Sequence, residues 1–164
     1  NPARPNASAV GVASLERVPL VVGVFQTRGA TALVYRGDDG IDKLTTTGHS
    51  HIWEVSRGFV TEHDLDPADL GIPRADIQSL LGADAAHNAS VARAVLAGEP
   101  GPVRDIVLLN AAGGLAAYEL SREPELLQEP ILERLATQLE RAASVIDSGA
   151  ASAKLDEWVA ATNR

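Results

Sequence analysis

A chain of 164 residues, 45% apolar and 22% charged, is long enough to bury one core and too apolar to be disordered. A net charge of −8 argues against the clustered basic footprint that nucleic-acid binding needs, and no apolar run approaches the ~20 residues of a membrane span. With no cysteine, neither a disulfide framework nor a thiolate metal site can form. Two residues each of Trp, Tyr and Phe leave the core to Ala, Val, Leu and Ile. Nothing resembles a secretory leader, so a cytoplasmic protein is expected. Methionine is absent and the chain opens Asn1-Pro2-Ala3-Arg4-Pro5, which reads as a piece of a longer protein.

Residues 1–7 carry two prolines and no periodicity, as an extended linker does. Ala9-Val10-Gly11-Val12-Ala13 has the short apolar character of a buried strand. From 15 to 27 the apolar positions Leu15, Val18, Val21, Val22 and Phe25 recur at steps of three and four, which predicts a helix with Ser14 as N-cap. Arg28-Gly29 ends it, and residues 30–35 return as a strand. Strand, helix and strand in that order predict a parallel pair with a right-handed crossover. Two alternating runs, 52–56 and 59–65, flank Arg57-Gly58 and predict a hairpin. Asp66-Pro67-Ala68-Asp69 then opens a turn.

Beyond Pro73 the pattern is helical throughout. A short helix is predicted over 74–81, stopped by Gly82, and a second over 83–97. A third, over 103–120, begins after Gly101-Pro102 and is apolar nearly all round, so it should be the buried central helix. Asn110 within it reads as a satisfied buried amide rather than a ligand. Gly113-Gly114 each cost about 1 kcal/mol relative to Ala, which predicts close packing against another backbone. Ile131, Leu135, Leu139, Ala142 and Ile146 stripe a fourth helix, and residues 150–161 form a last one bearing Leu155, Trp158 and Val159. The expected fold class is α/β: a partial, mainly parallel sheet with a hairpin, then about five helices. Residues 1–7 are the linker, 8–65 the sheet portion and 66–164 the helical portion. So thin a sheet under so many helices predicts further strands on the N-terminal side.

Among chemistry-bearing groups, His49 and His51 sit two apart and read as solvent-facing strand residues before they read as a metal pair. Neither a P-loop nor a G-x-G-x-x-G fingerprint occurs. What stands out is the corner Gly37-Asp38-Asp39-Gly40-Ile41-Asp42-Lys43-Leu44-Thr45-Thr46-Thr47-Gly48, between the strand that ends at Tyr35 and the one that starts at Ile52. Asp-Asp-Gly after a strand reads first as a turn. Its other reading is a hard-cation site, for which Asp42, beyond the turn, is the candidate; magnesium takes one or two carboxylates with water and phosphate.

This corner, together with Asn1-Pro2-Ala3-Arg4-Pro5, Pro102-Val103-Arg104-Asp105, Leu109-Asn110-Ala111-Ala112 and Ile146-Asp147-Ser148-Gly149-Ala150-Ala151, resembles the C-terminal part of bacterial anthranilate phosphoribosyltransferases. The resemblance implies the large α/β domain of that family, shared in type with nucleoside phosphorylases, without its N-terminal part. It implies transfer of phosphoribosyl from phosphoribosyl pyrophosphate to anthranilate in tryptophan biosynthesis, with Mg2+, by a homodimer whose site lies between a helical domain and this one. It makes Asn1 the tail of a substrate-contacting hinge motif and Asp42 a ligand of the second Mg2+ site. Lys43 stands where that family has Glu, and a cation there repels a divalent ion. The glycine-rich pyrophosphate loop would lie upstream, so residues 1–164 alone are expected to be inactive. A related transferase or nucleoside phosphorylase with another acceptor, and a non-catalytic remnant acting through a partner, are the alternatives.

Overall fold

The computed structural model describes residues 5–163. Among these, four strands form one sheet in sequence order: β1 (Ala7–Gly11), β2 (Thr31–Gly37), β3 (Ser50–Ser56) and β4 (Phe59–Leu65). Helix α1 (Val18–Arg28) joins β1 to β2, which pair in parallel from Ala7 opposite Thr31 to Gly11 opposite Tyr35. The other two pairings are antiparallel. The sheet is therefore mixed rather than mainly parallel, because the long corner and then a tight hairpin each reverse the chain. At the hairpin, Arg57 (φ 51°) and Gly58 (φ 82°) both take the left-handed conformation that matches the twist of the flanking strands.

β2 is buried on both faces, and its side chains alternate between two layers. Ala32 and Val34 face α1, packing with Val18, Val22 and Val55. Leu33 and Tyr35 face the opposite layer, where α3 (Pro102–Arg122) and α4 (Ile131–Asp147) contribute Leu109, Ala116, Ala117, Ile131 and Leu135. A third cluster of Val95, Leu108, Ala142 and Ile146 holds α2 (Ala85–Leu96) to the same two helices. The last helix, α5 (Ala150–Thr162), buries no residue, and Trp158 on it is 67% exposed.

Two further features differ from the sequence pattern. The helix predicted over 74–81 is a single 3-10 turn, Ile77–Leu80. Before it, the Ala75 N–H donates to the Thr46 carbonyl at 2.9 Å, and Asp76, in an extended conformation, caps the turn by accepting from the Gln78 N–H, so the helix begins only after Asp76 and ends at Leu81, which is again extended. The glycine pair also divides. A Cβ on Gly113 would come within 2.9 Å of Leu44 Cδ1, a side chain rather than a backbone, whereas one on Gly114 would meet nothing within 4 Å.

The helical layer is tied to the sheet by a buried ion pair. Glu54 on β3 is 1% exposed and Arg134 on α4 6%. Arg134 Nη1 and Nη2 donate to Glu54 Oε1 and Oε2 at 2.7 and 2.8 Å, the two-pronged geometry that suits guanidinium and carboxylate. His63 Nε2 lies 3.2 Å from Glu54 Oε2. Burial pushes the Glu54 carboxyl up, but hydrogen bonds from His63 and Arg134 outweigh it and hold the group below its ordinary 4.5. A carboxyl depressed on folding stabilises the native state above its unfolded pKa, and that stabilisation is lost as pH falls through the folded value. Arg134→Ala should therefore cost about 3–5 kcal/mol at neutral pH by urea denaturation. The gap to the parent protein should narrow once the pH drops below 4.5.

Candidate functional site: the acidic corner and its cleft

β2 ends in a tight turn. The Gly40 N–H donates to the Gly37 carbonyl at 2.9 Å and the Gly37 N–H to the Ile41 carbonyl at 3.2 Å, with Gly40 at φ 84°. Asp39, inside the turn, organises the rest of the corner. Its Oδ1 accepts from the Ile41 N–H at 3.1 Å, and its Oδ2 from the hydroxyls of Thr45 and Thr47 at 2.6 and 2.7 Å. The Thr47 N–H donates in turn to Thr45 Oγ1 at 3.0 Å. Partial burial raises the Asp39 carboxyl, and the donors from Thr45, Thr47 and Ile41 more than reverse that, leaving it below its ordinary 3.8. Two of the three threonines thus serve the turn. The hydroxyl of Thr46 is buried without a hydrogen-bond partner among the described residues.

The far side of the corner is fixed to other layers. Asn110, midway along α3, clamps the peptide of Leu44: its Oδ1 accepts from the Leu44 N–H at 3.0 Å and its Nδ2 donates to the Leu44 carbonyl at 2.8 Å. The same Nδ2 also reaches the Ile106 carbonyl at 2.9 Å, so the amide is satisfied, as its place in an apolar helix implied. Gly11, at the end of β1, lies directly under the backbone of Asp42. A Cβ there would fall 1.6 Å from the Asp42 carbonyl oxygen, an overlap that excludes any side chain.

Between these anchors Asp42 and Lys43 point outward. Lys43 Nζ donates to Asp42 Oδ1 at 2.6 Å, and both side chains are 56% exposed. An exposed pair of this kind contributes about 0–1 kcal/mol. The Lys43 hydrogen bond, opposed by slight burial, holds the Asp42 carboxyl below its ordinary value. Both residues border a cleft of about 1000 Å³ between the corner, β1, the turn Ile77–Leu80 and the first turns of α3. Tyr35 and Asn110 add polar groups; the remaining walls are largely apolar, among them Ile77, Leu80, Val103 and Ile106. Burial raises the pKa of the Tyr35 hydroxyl and the Asp42 charge adds to it, so it stands in the cleft as a neutral phenol at neutral pH.

The sequence singled out Asp42 and Lys43, and the structure brings them together at the cleft mouth. It gives Asp39, inside the turn, the organising role there. Gly11 and the specific target of Asn110 were not legible, although a glycine inside an apolar strand is a known signal of close backbone approach. Asn1 lies outside the described residues. The histidines at 49, 51 and 63 are each taken up by a carboxylate: His49 by Asp64 at 3.0 Å, His51 by Glu62 at 2.9 Å and His63 by Glu54. Among the described residues no three His, Asp or Glu side chains converge as a metal cluster. For magnesium the donor set at the corner is a poor fit: one carboxylate, Asp42, with an ammonium already on it, and beside it Asp39, whose oxygens hold Ile41, Thr45 and Thr47.

A sheet covered on both faces by helices, with a loop site at the carboxyl end of β2, is an arrangement in which α/β domains place ligand sites. Residues 1–152 match the family model described as glycosyl transferase family, a/b domain, and the chain belongs to that family. Over 162 residues it is 72% identical to the anthranilate phosphoribosyltransferase of Leifsonia xyli subsp. xyli and 70% identical to that of Clavibacter michiganensis. Each match covers 99% of this chain but 46% of the relative, so the chain spans less than half the length of these proteins. Among solved structures, anthranilate phosphoribosyltransferase from Thermus thermophilus is 32% identical with a TM-score of 0.73, over 92% of this chain and 41% of that one. The Saccharomyces cerevisiae enzyme in complex with PRPP and Mg covers the same shares at 21% identity and a TM-score of 0.75, a likeness of fold alone. No helix among the described residues is long and apolar enough to cross a membrane.

Removing the clamp should loosen the corner without unfolding the sheet. Asn110→Ala leaves the buried Leu44 N–H and carbonyl unpaired, at about 1–3 kcal/mol. Hydrogen exchange at the Leu44 amide should accelerate by roughly tenfold or more, as that cost dictates, while amides in the middle of β2 stay protected. Gly11→Ala should displace the Asp42 backbone and destabilise by about 1–3 kcal/mol, the usual cost of overpacking.

Proposed function

We propose that this chain is the C-terminal α/β portion of an anthranilate phosphoribosyltransferase. The observation that carries the reading is the 72% identity, running over 99% of the chain, to the Leifsonia xyli enzyme of that name. In the reaction, the bond between ribose C1 and the diphosphate oxygen breaks and its electron pair leaves with diphosphate. The anthranilate amine nitrogen forms the new bond to C1 and gives up a proton to solvent. Charge grows on the leaving oxygens as the sugar becomes cationic, so most of the catalytic demand is electrostatic and positional.

On this reading the corner supplies one wall of the reaction cleft. Asp39 and its threonines hold the turn rigid, Gly11 and Asn110 fix the backbone of residues 42–44, and the Asp42 and Lys43 side chains face the substrate. The apolar residues opposite, Ile77 and Leu80, line the cleft without offering donors to phosphate. A phosphate cradle of backbone N–H groups belongs to glycine-rich loops at helix starts, and this sequence holds no such fingerprint. Catalysis therefore requires the rest of the enzyme. The same reading sets the reaction in the cytoplasm, within tryptophan biosynthesis, and makes the complete enzyme a homodimer.

The test uses anthranilate consumption, followed by its fluorescence, with phosphoribosyl pyrophosphate and Mg2+. The full-length protein containing this stretch should form phosphoribosylanthranilate, and a preparation of residues 1–164 alone should form none. A full-length protein that ignores anthranilate but phosphoribosylates another acceptor would overturn the assignment.

A further inference from the structure

We propose that the Lys43 ammonium is the resident cation of the corner and binds a phosphate oxygen of the diphosphate group directly, in place of a divalent ion on Asp42. The proposal rests on the phosphoribosyl-transfer reading and adds to it the group that meets the leaving diphosphate.

Four observations lead to it. First, Lys43 is the one cationic residue lining the cleft among those described. Second, its Nζ already sits 2.6 Å from Asp42 Oδ1, where a cation drawn to that carboxylate would lie. A divalent ion could reach Asp42 only by displacing the ammonium or by tolerating its repulsion at close range. Third, no second free carboxylate stands ready: Asp39 spends both oxygens inside the turn, and no three-residue ligand cluster occurs among the described residues. Fourth, the loop backbone is held from two sides. The backbone of Asp42 rests on Gly11 with no room for a Cβ, and the peptide of Leu44 is clamped by Asn110.

An ammonium has three donors, and Asp42 occupies one of them. The other two are free for phosphate oxygens on the cleft side. Asp42 is then a positioning residue that orients Lys43, while Lys43 touches the substrate. As the C1–oxygen bond breaks and the electron pair moves onto diphosphate, the hydrogen bonds from Lys43 shorten and strengthen because their acceptor gains charge. No proton leaves Lys43; the proton released in the reaction is that of the anthranilate amine.

The test is calorimetry on the full-length protein, using inorganic pyrophosphate and MgCl2 as separate titrants. Lys43→Ala should weaken pyrophosphate binding by about tenfold, the loss of one charge-assisted contact. Lys43→Arg should restore it to within about threefold by keeping the charge. Because the side chain is exposed, all variants should melt with the parent protein. Lys43→Glu should gain a Mg2+ equivalent that the parent lacks. Unchanged pyrophosphate affinity in Lys43→Ala, or no additional Mg2+ in Lys43→Glu, would overturn the proposal. Either result, in a protein that still converts anthranilate, leaves the transferase reading standing. A parent protein that converts no anthranilate removes that reading whatever the titrations give.

Discussion

Two hydrogen bonds between the Asn110 side chain and the peptide of Leu44 connect the middle of α3 to the corner that follows β2. Leu44 is fully buried, so its N–H and carbonyl have no access to water and depend on that amide. Its side chain in turn fills the space left by Gly113, one helical turn further along α3. The corner is thus not a loop resting on a scaffold. It is packed into the central helix as a core residue would be, and the cleft takes its shape from that contact.

The same logic operates between β3 and α4. A buried pair of charges adds little over well-packed apolar side chains, yet losing one partner is costly. Glu54 and Arg134 therefore act on the docking of α4: the helix settles in the register that brings its guanidinium to the carboxylate. With α3 tied to the corner and α4 tied to the sheet, the two long helices also pack against each other through Leu109, Ala116, Ile131 and Leu135. Helix α5 has no comparable tether, and its large apolar side chains Trp158 and Val159 stay in solvent.

Much of this was legible in the chain. Alternating and three-to-four-residue periodicities placed all four strands and the helices α1 to α5, and Arg57-Gly58 marked the hairpin because a left-handed pair is required there. Where the fold departs from the local pattern, tertiary contacts and chain reversals are the cause. Residues 74–81 have helical composition, but Ala75 is tied to the Thr46 carbonyl and the extended backbone at Asp76 and Leu81 confines the helix to one 3-10 turn. A thin sheet with a crossover predicts mainly parallel pairing, whereas hairpin and corner make two of its three pairings antiparallel. At the site, charge and position beyond the turn pointed to Asp42. Nothing in a run of Asp, Gly and Thr tells which carboxylate the hydroxyls will choose, since that depends on how tightly the turn at Gly37 closes.

The contact between Gly11 and the Asp42 carbonyl separates two kinds of freedom. The path of the loop is set by groups that belong to neither of its outward side chains: a bare α-carbon below, a carboxamide behind, a carboxylate in the turn. Substitutions at positions 42 and 43 therefore leave folding nearly indifferent, while any side chain at position 11 must displace the Asp42 backbone. A lineage could exchange acid for base at the rim of this cleft in a single step and remain folded throughout. The corner works as a socket with a packed frame and an interchangeable terminal.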